Sequence, residues 1–196
     1  METENVILMR MARESLSDKW GLAIGTFIIY SLITVTFLGL IEDFNYFGIF
    51  SLIIEGPFAL GLTIFSLAIS RNQEAKVVQL FYGFNLFWKA LGAFFITTLF
   101  ISIGFLLFVI PGIIAALYFS LTFYILADDH SVGVLEAIER SCKMMQGFKM
   151  KCFCLYLRFL GLAFLCLFTF GIGFFFLFPY IEVVMAHFYE DVKNAY

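Results

Sequence analysis

The stretch that decides the fold covers residues 108–151 and reads FVIPGIIAALYFSLTFYILADDHSVGVLEAIERSCKMMQGFKMK. After Pro111 it continues without a charged residue as far as Ala127, and at Asp128 it changes into a strongly charged segment. The uncharged part has the length and apolarity of a helix that crosses a bilayer, whereas the charged part alternates as a surface helix does. We therefore expect the chain to leave a membrane at Asp128, to follow its surface and to enter it again near Lys151.

The composition of the whole chain agrees with this interpretation. Of its 196 residues, 62% are hydrophobic and only 14% are charged, whereas soluble domains are nearer half apolar and a quarter charged. A water-soluble fold of this length could not bury so much apolar surface, so we expect a single integral-membrane domain over residues 1–196. The net charge of −3 argues against nucleic acid as a partner. The cysteines and histidines lack the spacing of metal ligands, so we expect no metal and no cofactor.

The apolar runs predict an all-α polytopic membrane protein with six transmembrane helices, arranged as three hairpins. We place these helices at about residues 20–40, 48–69, 88–109, 112–127, 151–170 and 173–189. The first hairpin turns at Glu42, Asp43 and Asn45, and the third turns at residues 171–173.

The second hairpin leaves two positions open for its turn. The turn fits residues 110–112, which puts Pro111 in the first turn of the next helix, where a proline is tolerated. Alternatively, the turn lies at residues 102–104 and Pro111 kinks the helix. The second version leaves only a short apolar run after Lys89, so we favour the first.

A short amphipathic helix on the cytoplasmic face is predicted ahead of each hairpin. The apolar faces follow helical spacing and consist of Met9, Ala12, Leu16 and Trp20 in the first, Val77, Leu80, Phe81 and Phe84 in the second, and Leu135, Ile138, Cys142 and Met145 in the third. The third has a candidate cap at Ser131 and a candidate stop at Gly147. It also contains two pairs with favourable spacing for ion pairs, Glu136–Arg140 and Glu139–Lys143.

The basic residues predict the orientation of the chain. Apart from Arg158, all of them lie before the first membrane helix, between the second and third, between the fourth and fifth, or after the last: Arg10, Arg13, Lys19, Arg71, Lys76, Lys89, Arg140, Lys143, Lys149, Lys151 and Lys193. The three opposite turns carry none. Because basic loops stay in the cytoplasm, we expect both termini there. Trp20 and Trp88 fall at two predicted cytoplasmic entries, as an aromatic belt requires.

The three hairpins also look like copies of one unit, in which an amphipathic helix precedes two membrane helices. One proline falls in each unit, at Pro57, Pro111 and Pro179. We interpret these prolines as a kink or turn in the second membrane helix of each unit. The spacings between the shared features differ, so an ordinary series of hairpins explains the pattern equally well.

Three ionisable residues lie inside predicted membrane helices: Glu55, Arg158 and Glu182. A charge at the centre of a bilayer costs about 2.5–3.5 kcal/mol on insertion scales, so such groups pair, face the bundle interior or become neutral. Our sharper hypothesis is a ligand or ion site that is lined by the two glutamates, with Arg158 as the counter-charge. The simpler hypothesis, which we favour, is a structural polar clamp between helices, with Arg158 reaching to the membrane surface.

Several short motifs occur in a fixed order along the chain. They are residues 110–114 (IPGII), 124–128 (YILAD), 145–149 (MQGFK), 169–173 (TFGIG), 179–181 (PYI) and 188–190 (FYE), preceded by 12–16 (ARESL), 20–21 (WG), 55–57 (EGP) and Gly61. This set resembles the bacterial integral-membrane family called domain of unknown function 975. The resemblance implies a six-helix protein of the bacterial inner membrane and implies no activity. More distantly, the chain is similar to the membrane domain that is fused to some glycerophosphodiester phosphodiesterases, although it lacks a catalytic phosphodiesterase portion.

The sequence contains no phosphate-binding loop, zinc-protease motif or nucleophile elbow, so we expect no catalytic residues and no enzyme. We favour a non-enzymatic membrane module that binds membrane lipids, a membrane-protein partner or a second copy of itself. Its basic segments would rest on anionic headgroups. The alternative is a small transporter or channel with an intramembrane carboxylate site at Glu55 and Glu182.

Overall fold

The computed structural model of the chain describes residues 3–39 and 47–196. Its helices are α1 (Asn5–Leu16), α2 (Trp20–Gly39), α3 (Phe47–Ser70), a 3-10 helix (Val77–Leu86), α4 (Phe87–Leu107), α5 (Val109–Phe119), α6 (Thr122–Asp128), α7 (Val134–Met144), α8 (Lys149–Leu167) and α9 (Phe174–Ala195). These described ranges contain no strand, so the predicted all-α fold is confirmed. The predicted first turn at Glu42, Asp43 and Asn45 lies outside the described residues.

Several helical stretches are long and apolar enough to cross a membrane, as predicted. Four meet this test in the described chain: Ile53–Ser70, Val77–Leu107, Val109–Asp128 and Lys149–Leu167. A fifth is added if α1 and the first part of α2, which meet at an angle of 94°, count together as one broken span. The chain therefore has the helices of a membrane protein, but only four or five pass this test, whereas we predicted six.

Part of the difference in number arises at α9. The apolar part of α9, residues 174–189, ends at Glu190 and Asp191 and is shorter than the roughly 20 residues that a straight crossing needs. At the start of α2, the ring of Trp20 lies 6.0 Å from the ring of Phe176. The prediction had placed Trp20 and the turn just before Phe176 at opposite membrane faces.

The turn of the second hairpin lies at Phe108, slightly earlier than the position we favoured. Phe108 is extended, with φ −163° and ψ 156°, and α5 begins at the next residue. Pro111 lies in the first turn of α5, where its missing N–H leaves no helical hydrogen bond unmade. The alternative turn at residues 102–104 is wrong, because these residues lie within α4.

The 3-10 helix packs against α3 through two glycines. A β-carbon added to Gly61 would lie 1.9 Å from the carbonyl oxygen of Leu80, and one added to Gly83 would lie 1.9 Å from the carbonyl oxygen of Pro57. Because a 3-10 helix has three residues per turn, Leu80 and Gly83 share its buried face, and Phe81 is exposed. The predicted face for this segment is therefore wrong at Phe81, whereas Leu80 is buried and Val77 and Phe84 are half-buried as predicted.

The buried face of α7 also differs from the predicted one. Ala137, Ser141 and Met144 are buried, whereas Leu135 is 71% exposed. Small side chains allow α7 to approach the bundle closely, and the Ser141 hydroxyl donates a hydrogen bond of 2.6 Å to the carbonyl of Tyr118. The predicted face is therefore wrong at Leu135, whereas Met145 is buried as predicted.

The local features predicted around α7 are confirmed in part. Glu136–Arg140 and Glu139–Lys143 form ion pairs of 2.7 and 2.6 Å, and Gly147 has a positive φ of 93°. Ser131 does not cap α7, which begins after Gly133. The Ser131 amide and hydroxyl instead donate hydrogen bonds to Asp129.

The N-terminal helix α1 packs on the C-terminal helix α9. Its predicted apolar face is confirmed, since Ala12 and Leu16 are fully buried. The Tyr180 hydroxyl donates to the carbonyl of Met9 at 3.0 Å, and the Ser15 hydroxyl lies 3.1 Å from a ring nitrogen of His187. Polar contacts with α9 thus hold α1 in place in addition to the packing of its apolar face.

Candidate functional site

A buried hydrogen bond joins α6 to α9 at Glu182. The Tyr124 hydroxyl on α6 lies 3.1 Å from a carboxyl oxygen of Glu182 on α9 and 3.3 Å from the carbonyl oxygen of the same residue. The ring of Tyr124 stacks on that of Tyr189, with centroids 5.7 Å apart. A carboxyl group among apolar helices needs such a donor, because an unpaired polar group is costly there.

Glu55 and Glu182 lie near one common residue, Tyr30 of α2. The Tyr30 side chain is within electrostatic range of both carboxyl groups, and its ring packs edge-on against Phe58 at 6.3 Å. Each glutamate is therefore within long-range electrostatic reach of Tyr30, and the hydrogen bond of this region is that between Tyr124 and Glu182. We name Tyr30, Glu55, Tyr124 and Glu182 the carboxyl cluster.

Arg158 lies apart from the carboxyl cluster. The buried face of α8 consists of Cys152, Leu155 and Phe159. Arg158 precedes Phe159 by one residue, a rotation of about 100° around the helix, and its side chain is exposed. It lines a different cavity, beside the N-terminal segment. The expected ion pair between Arg158 and Glu55 or Glu182 is not formed among the described residues.

The predicted proline positions fall into two groups. Pro57 and Pro179 lie inside α3 and α9, and both are buried. Each lacks an N–H and therefore frees a backbone carbonyl one turn earlier, which in α3 lies two residues before Glu55 but in α9 lies about two turns before Glu182. Pro111 belongs to the turn of the second hairpin.

An apolar groove runs between α5 and α8. Its volume is about 570 Å³, and its walls include Ala116, Leu117, Tyr156, Leu160, Ala163 and Ile181. Tyr156 supplies a polar group in this wall and lies within electrostatic range of Glu182. The inner wall of the groove thus adjoins the carboxyl cluster.

An ion-pair network links the ends of α3, α6 and α9. Arg71 contacts Asp128 at 2.6 Å and Glu190 at 2.5 Å. Asp128 also accepts a hydrogen bond of 2.9 Å from the Tyr189 hydroxyl and pairs with Lys193. Burial of the Arg71 guanidinium would lower its pKa, but the hydrogen bonds and charges of the two carboxylates outweigh this and raise it.

A second polar contact joins the two ends of the chain. Asp191 pairs with Lys151 at 2.5 Å and accepts hydrogen bonds of 2.5 and 3.2 Å from the hydroxyl and amide of Thr3. Burial alone would raise the pKa of Asp191, but the bonds from Lys151 and Thr3 outweigh it and lower the pKa. The N-terminus, the start of α8 and the end of α9 therefore meet at one place.

Residues 99–196, half of the chain, match the family described as protein of unknown function (DUF975). The chain belongs to this family. The matched residues contain Glu182, Tyr124 and both walls of the groove, whereas Glu55 and the N-terminal motifs precede them. No curated protein and no solved structure matches the chain significantly.

In this DUF975 protein the described residues include no group of three or more His, Cys, Asp and Glu that could hold a metal ion. A ring nitrogen of His187 is within hydrogen-bond distance of the Ser15 hydroxyl. The backbone carbonyl of His130 accepts a hydrogen bond of 2.7 Å from Lys89. The candidate binding site is therefore the apolar groove, with the Tyr156 hydroxyl and the Glu182 carboxyl beside its inner wall.

Sequence reasoning missed the tyrosines and the ion-pair network. Tyr30 and Tyr156 were assigned no role, and Tyr124 appeared only as the first residue of the motif at 124–128. A hydroxyl in an apolar span must find a partner when it is buried, and this requirement could have pointed to the glutamates. Asp128 directly follows an apolar run, and this position could likewise have indicated that its carboxylate needs a partner.

Proposed function

We propose that this DUF975 protein is a non-enzymatic membrane module that binds the acyl chain of a membrane lipid in the groove between α5 and α8. The observation that carries the proposal is the groove itself. Its volume of about 570 Å³ falls within the ~300–1,000 Å³ of typical ligand sites. Its lining has no charged side chain, as an acyl chain requires.

The position of the groove also favours a lipid. Leu157 and Leu160 in its wall remain largely exposed, so the groove opens sideways toward the surface that the bilayer covers. Ligand sites of this kind combine apolar walls with a few polar groups that fix orientation. Tyr156, with Glu182 behind it, supplies those groups here.

A groove-filling substitution tests this proposal. Ala163 lines the groove, and Ala163→Trp would occupy it. Gly161→Trp is the matched control on the same helix, since a β-carbon at Gly161 meets nothing within 4 Å. Native mass spectra of the purified protein should show a retained lipid in the wild type and in Gly161→Trp, and a loss in Ala163→Trp. Equal lipid retention in both variants would exclude the groove as the site.

We further infer six membrane crossings, with both termini in the cytoplasm of a bacterial inner membrane. Support comes from the contact between Thr3 and Asp191, since termini that meet share one face, and the number of crossings is then even. The basic residues Arg71, Lys151 and Lys193 make ion pairs around the same ends of the helices.

Cysteine labelling tests this topology. In a cysteine-free background, an impermeant maleimide added to intact cells should label Gly171→Cys and spare Tyr196→Cys. The contact between Trp20 and Phe176 makes Gly171 the informative position. Protection of Gly171→Cys until the cells are lysed would contradict six crossings.

A second candidate function is a small transporter with an intramembrane carboxylate site. The proximity of Tyr30 to both Glu55 and Glu182 favours it, because paired carboxyl groups inside a membrane often mark ion or proton paths. Proteoliposomes with an entrapped pH-sensitive dye should then show proton flux that Glu182→Gln abolishes. Flux equal to that of protein-free vesicles would exclude proton transport.

A further inference from the structure

Arg158 lines a cavity to which the carboxyl cluster contributes no residue. We propose that this cavity, between the start of α8 and the N-terminal segment, binds the phosphate of a phospholipid headgroup and that Arg158 is its main ligand. The cavity lies on a different face of α8 from the groove, so the two proposals can succeed or fail separately.

Polar residues line the cavity on both sides, from the N-terminal segment and from α8. Its volume is about 420 Å³, and its lining includes Thr3, Glu4, Asn5, Lys151 and Arg158. Lys151 and Arg158 are two helical turns apart and lie on the same face of α8. The guanidinium of Arg158 can therefore extend along this face toward Lys151, which is the end of α8 that meets both chain termini.

Arg158 favours an anion at its own end of the cavity, whereas Glu4 carries the opposite charge elsewhere in the lining. The charge of Lys151 is matched by Asp191 at 2.5 Å. Arg158 has no carboxylate within 4.0 Å in the described part of the chain, Glu4 included. A guanidinium stays charged at every accessible pH, so on a membrane helix it needs a counter-ion. Phosphate suits it best, because two N–H groups can bind two oxygens at once.

A second observation points to the rest of the headgroup. The amide nitrogen of Asn5 donates a hydrogen bond of 2.9 Å to the carbonyl of Lys151. Its amide oxygen is buried and has no hydrogen-bond partner among the described residues. Such an oxygen calls for a donor. A glycerol hydroxyl or an ethanolamine ammonium provides one when the Asn5 side chain turns this buried oxygen toward the cavity, whereas a choline headgroup has no such donor.

The rim of the cavity favours a lipid over free phosphate. Val6 and Met150 belong to the lining and are 58% and 70% exposed. Large apolar side chains next to a phosphate-binding arginine suit an amphipathic occupant, whose glycerol backbone and first methylenes would cover them. The occupant we infer is thus a phospholipid of the cytoplasmic leaflet.

Lipid binding to the full chain tests the proposal. Delipidated protein in detergent is titrated with phosphatidylglycerol or phosphatidylcholine, and native mass spectra report the bound fraction. Phosphatidylglycerol should bind more tightly than phosphatidylcholine. Arg158→Gln should weaken phosphatidylglycerol binding on the order of tenfold, the equivalent of one hydrogen bond to a charged group. Arg140→Gln is the matched control, because Arg140 lies on α7 and outside the cavity.

Further variants separate the possible outcomes. Arg158→Lys, which keeps the charge, should bind to an intermediate degree, and Asn5→Leu should reduce the preference for phosphatidylglycerol over phosphatidylcholine. Ala163→Trp should leave this preference unchanged even if the groove is blocked. Equal binding by Arg158→Gln and Arg140→Gln would overturn the proposal. Displacement of the lipid by millimolar inorganic phosphate would assign the cavity to free phosphate and would also overturn it.

Discussion

The hydroxyl of Tyr124 lies 3.1 Å from a carboxyl oxygen of Glu182, and this contact connects α6 to α9 inside the bundle. Glu182 has a second polar neighbour in Tyr30, which also lies near Glu55. The carboxyl cluster therefore contains residues of four helices, α2, α3, α6 and α9, and the hydrogen bond joins α6 to α9. It can act as a structural clamp whatever ligand the groove binds.

Removal of the Tyr124 hydroxyl should destabilise the protein. Tyr124→Phe keeps the ring but leaves Glu182 without its donor, which costs about 1–3 kcal/mol for a buried group. A lower midpoint of thermal unfolding in detergent would report the loss. Tyr82→Phe is the control, since Tyr82 is exposed. Equal midpoints for the two variants would show that the hydrogen bond contributes nothing.

The contact between α3 and the 3-10 helix should not tolerate a methyl group at Gly83. Gly83→Ala would place its β-carbon 1.9 Å from the carbonyl oxygen of Pro57, and relief of this clash requires the backbone to move. We expect a loss of at least about 1–3 kcal/mol, as for an overpacked core. Gly21→Ala, where a β-carbon meets nothing within 4 Å, should be neutral or slightly stabilising. A Gly83→Ala protein as stable as Gly21→Ala would contradict this packing.

The ion-pair network at Arg71 should contribute more than the pairs on α7. Arg71→Ala removes the arginine that pairs with Glu190 and one of the two cations that pair with Asp128, whose side chain is only 13% exposed. We expect about 1–3 kcal/mol, between the ~0–1 of an exposed pair and the ~3–5 of a buried one. Chemical denaturation measures this, and Arg140→Ala is the comparison, because its pair with Glu136 is exposed. A larger effect of Arg140→Ala would contradict the ranking.

The junction of the two chain ends should weaken in acid. The pKa of Asp191 is lowered from its ordinary value of 3.8, so its contribution to stability is complete above that value and is lost as the pH falls through the lower, folded pKa. Hydrogen exchange in α1 should therefore accelerate at about pH 3 relative to about pH 6. In Asp191→Asn, exchange should be fast at both pH values. Exchange in the wild type that does not depend on pH, after correction for the intrinsic rate, would contradict this role.

The sequence predicted the long helices well, because a membrane imposes a simple requirement on length and apolarity. The faces of the short helices were harder to predict. At α7, the buried residues Ala137 and Ser141 are small and carry little hydrophobic signal, while the conspicuous Leu135 is exposed. In the segment from Val77, the three-residue period of a 3-10 helix replaced the α-helical one.

The polar contacts were mostly beyond the reach of the sequence. Arg71 lies 57 residues from Asp128 and 119 residues from Glu190, so no local spacing connects them. Glu55 and Glu182 were found because a charge stands out in an apolar run. Arg158 stood out for the same reason, but its direction depends on which side of α8 faces the bundle, and only the packing of Cys152 and Phe159 reveals that.

The packing of α1 on α9 has a consequence for the order in which the molecule is completed. Among the described helices, translation produces α1 first and α9 last. The partners that hold α1, including Tyr180, His187 and Asp191, are therefore absent until α9 has been synthesised. The nascent chain must therefore maintain α1 without these contacts until α9 is made. The packing of α9 against α1 then completes this part of the bundle.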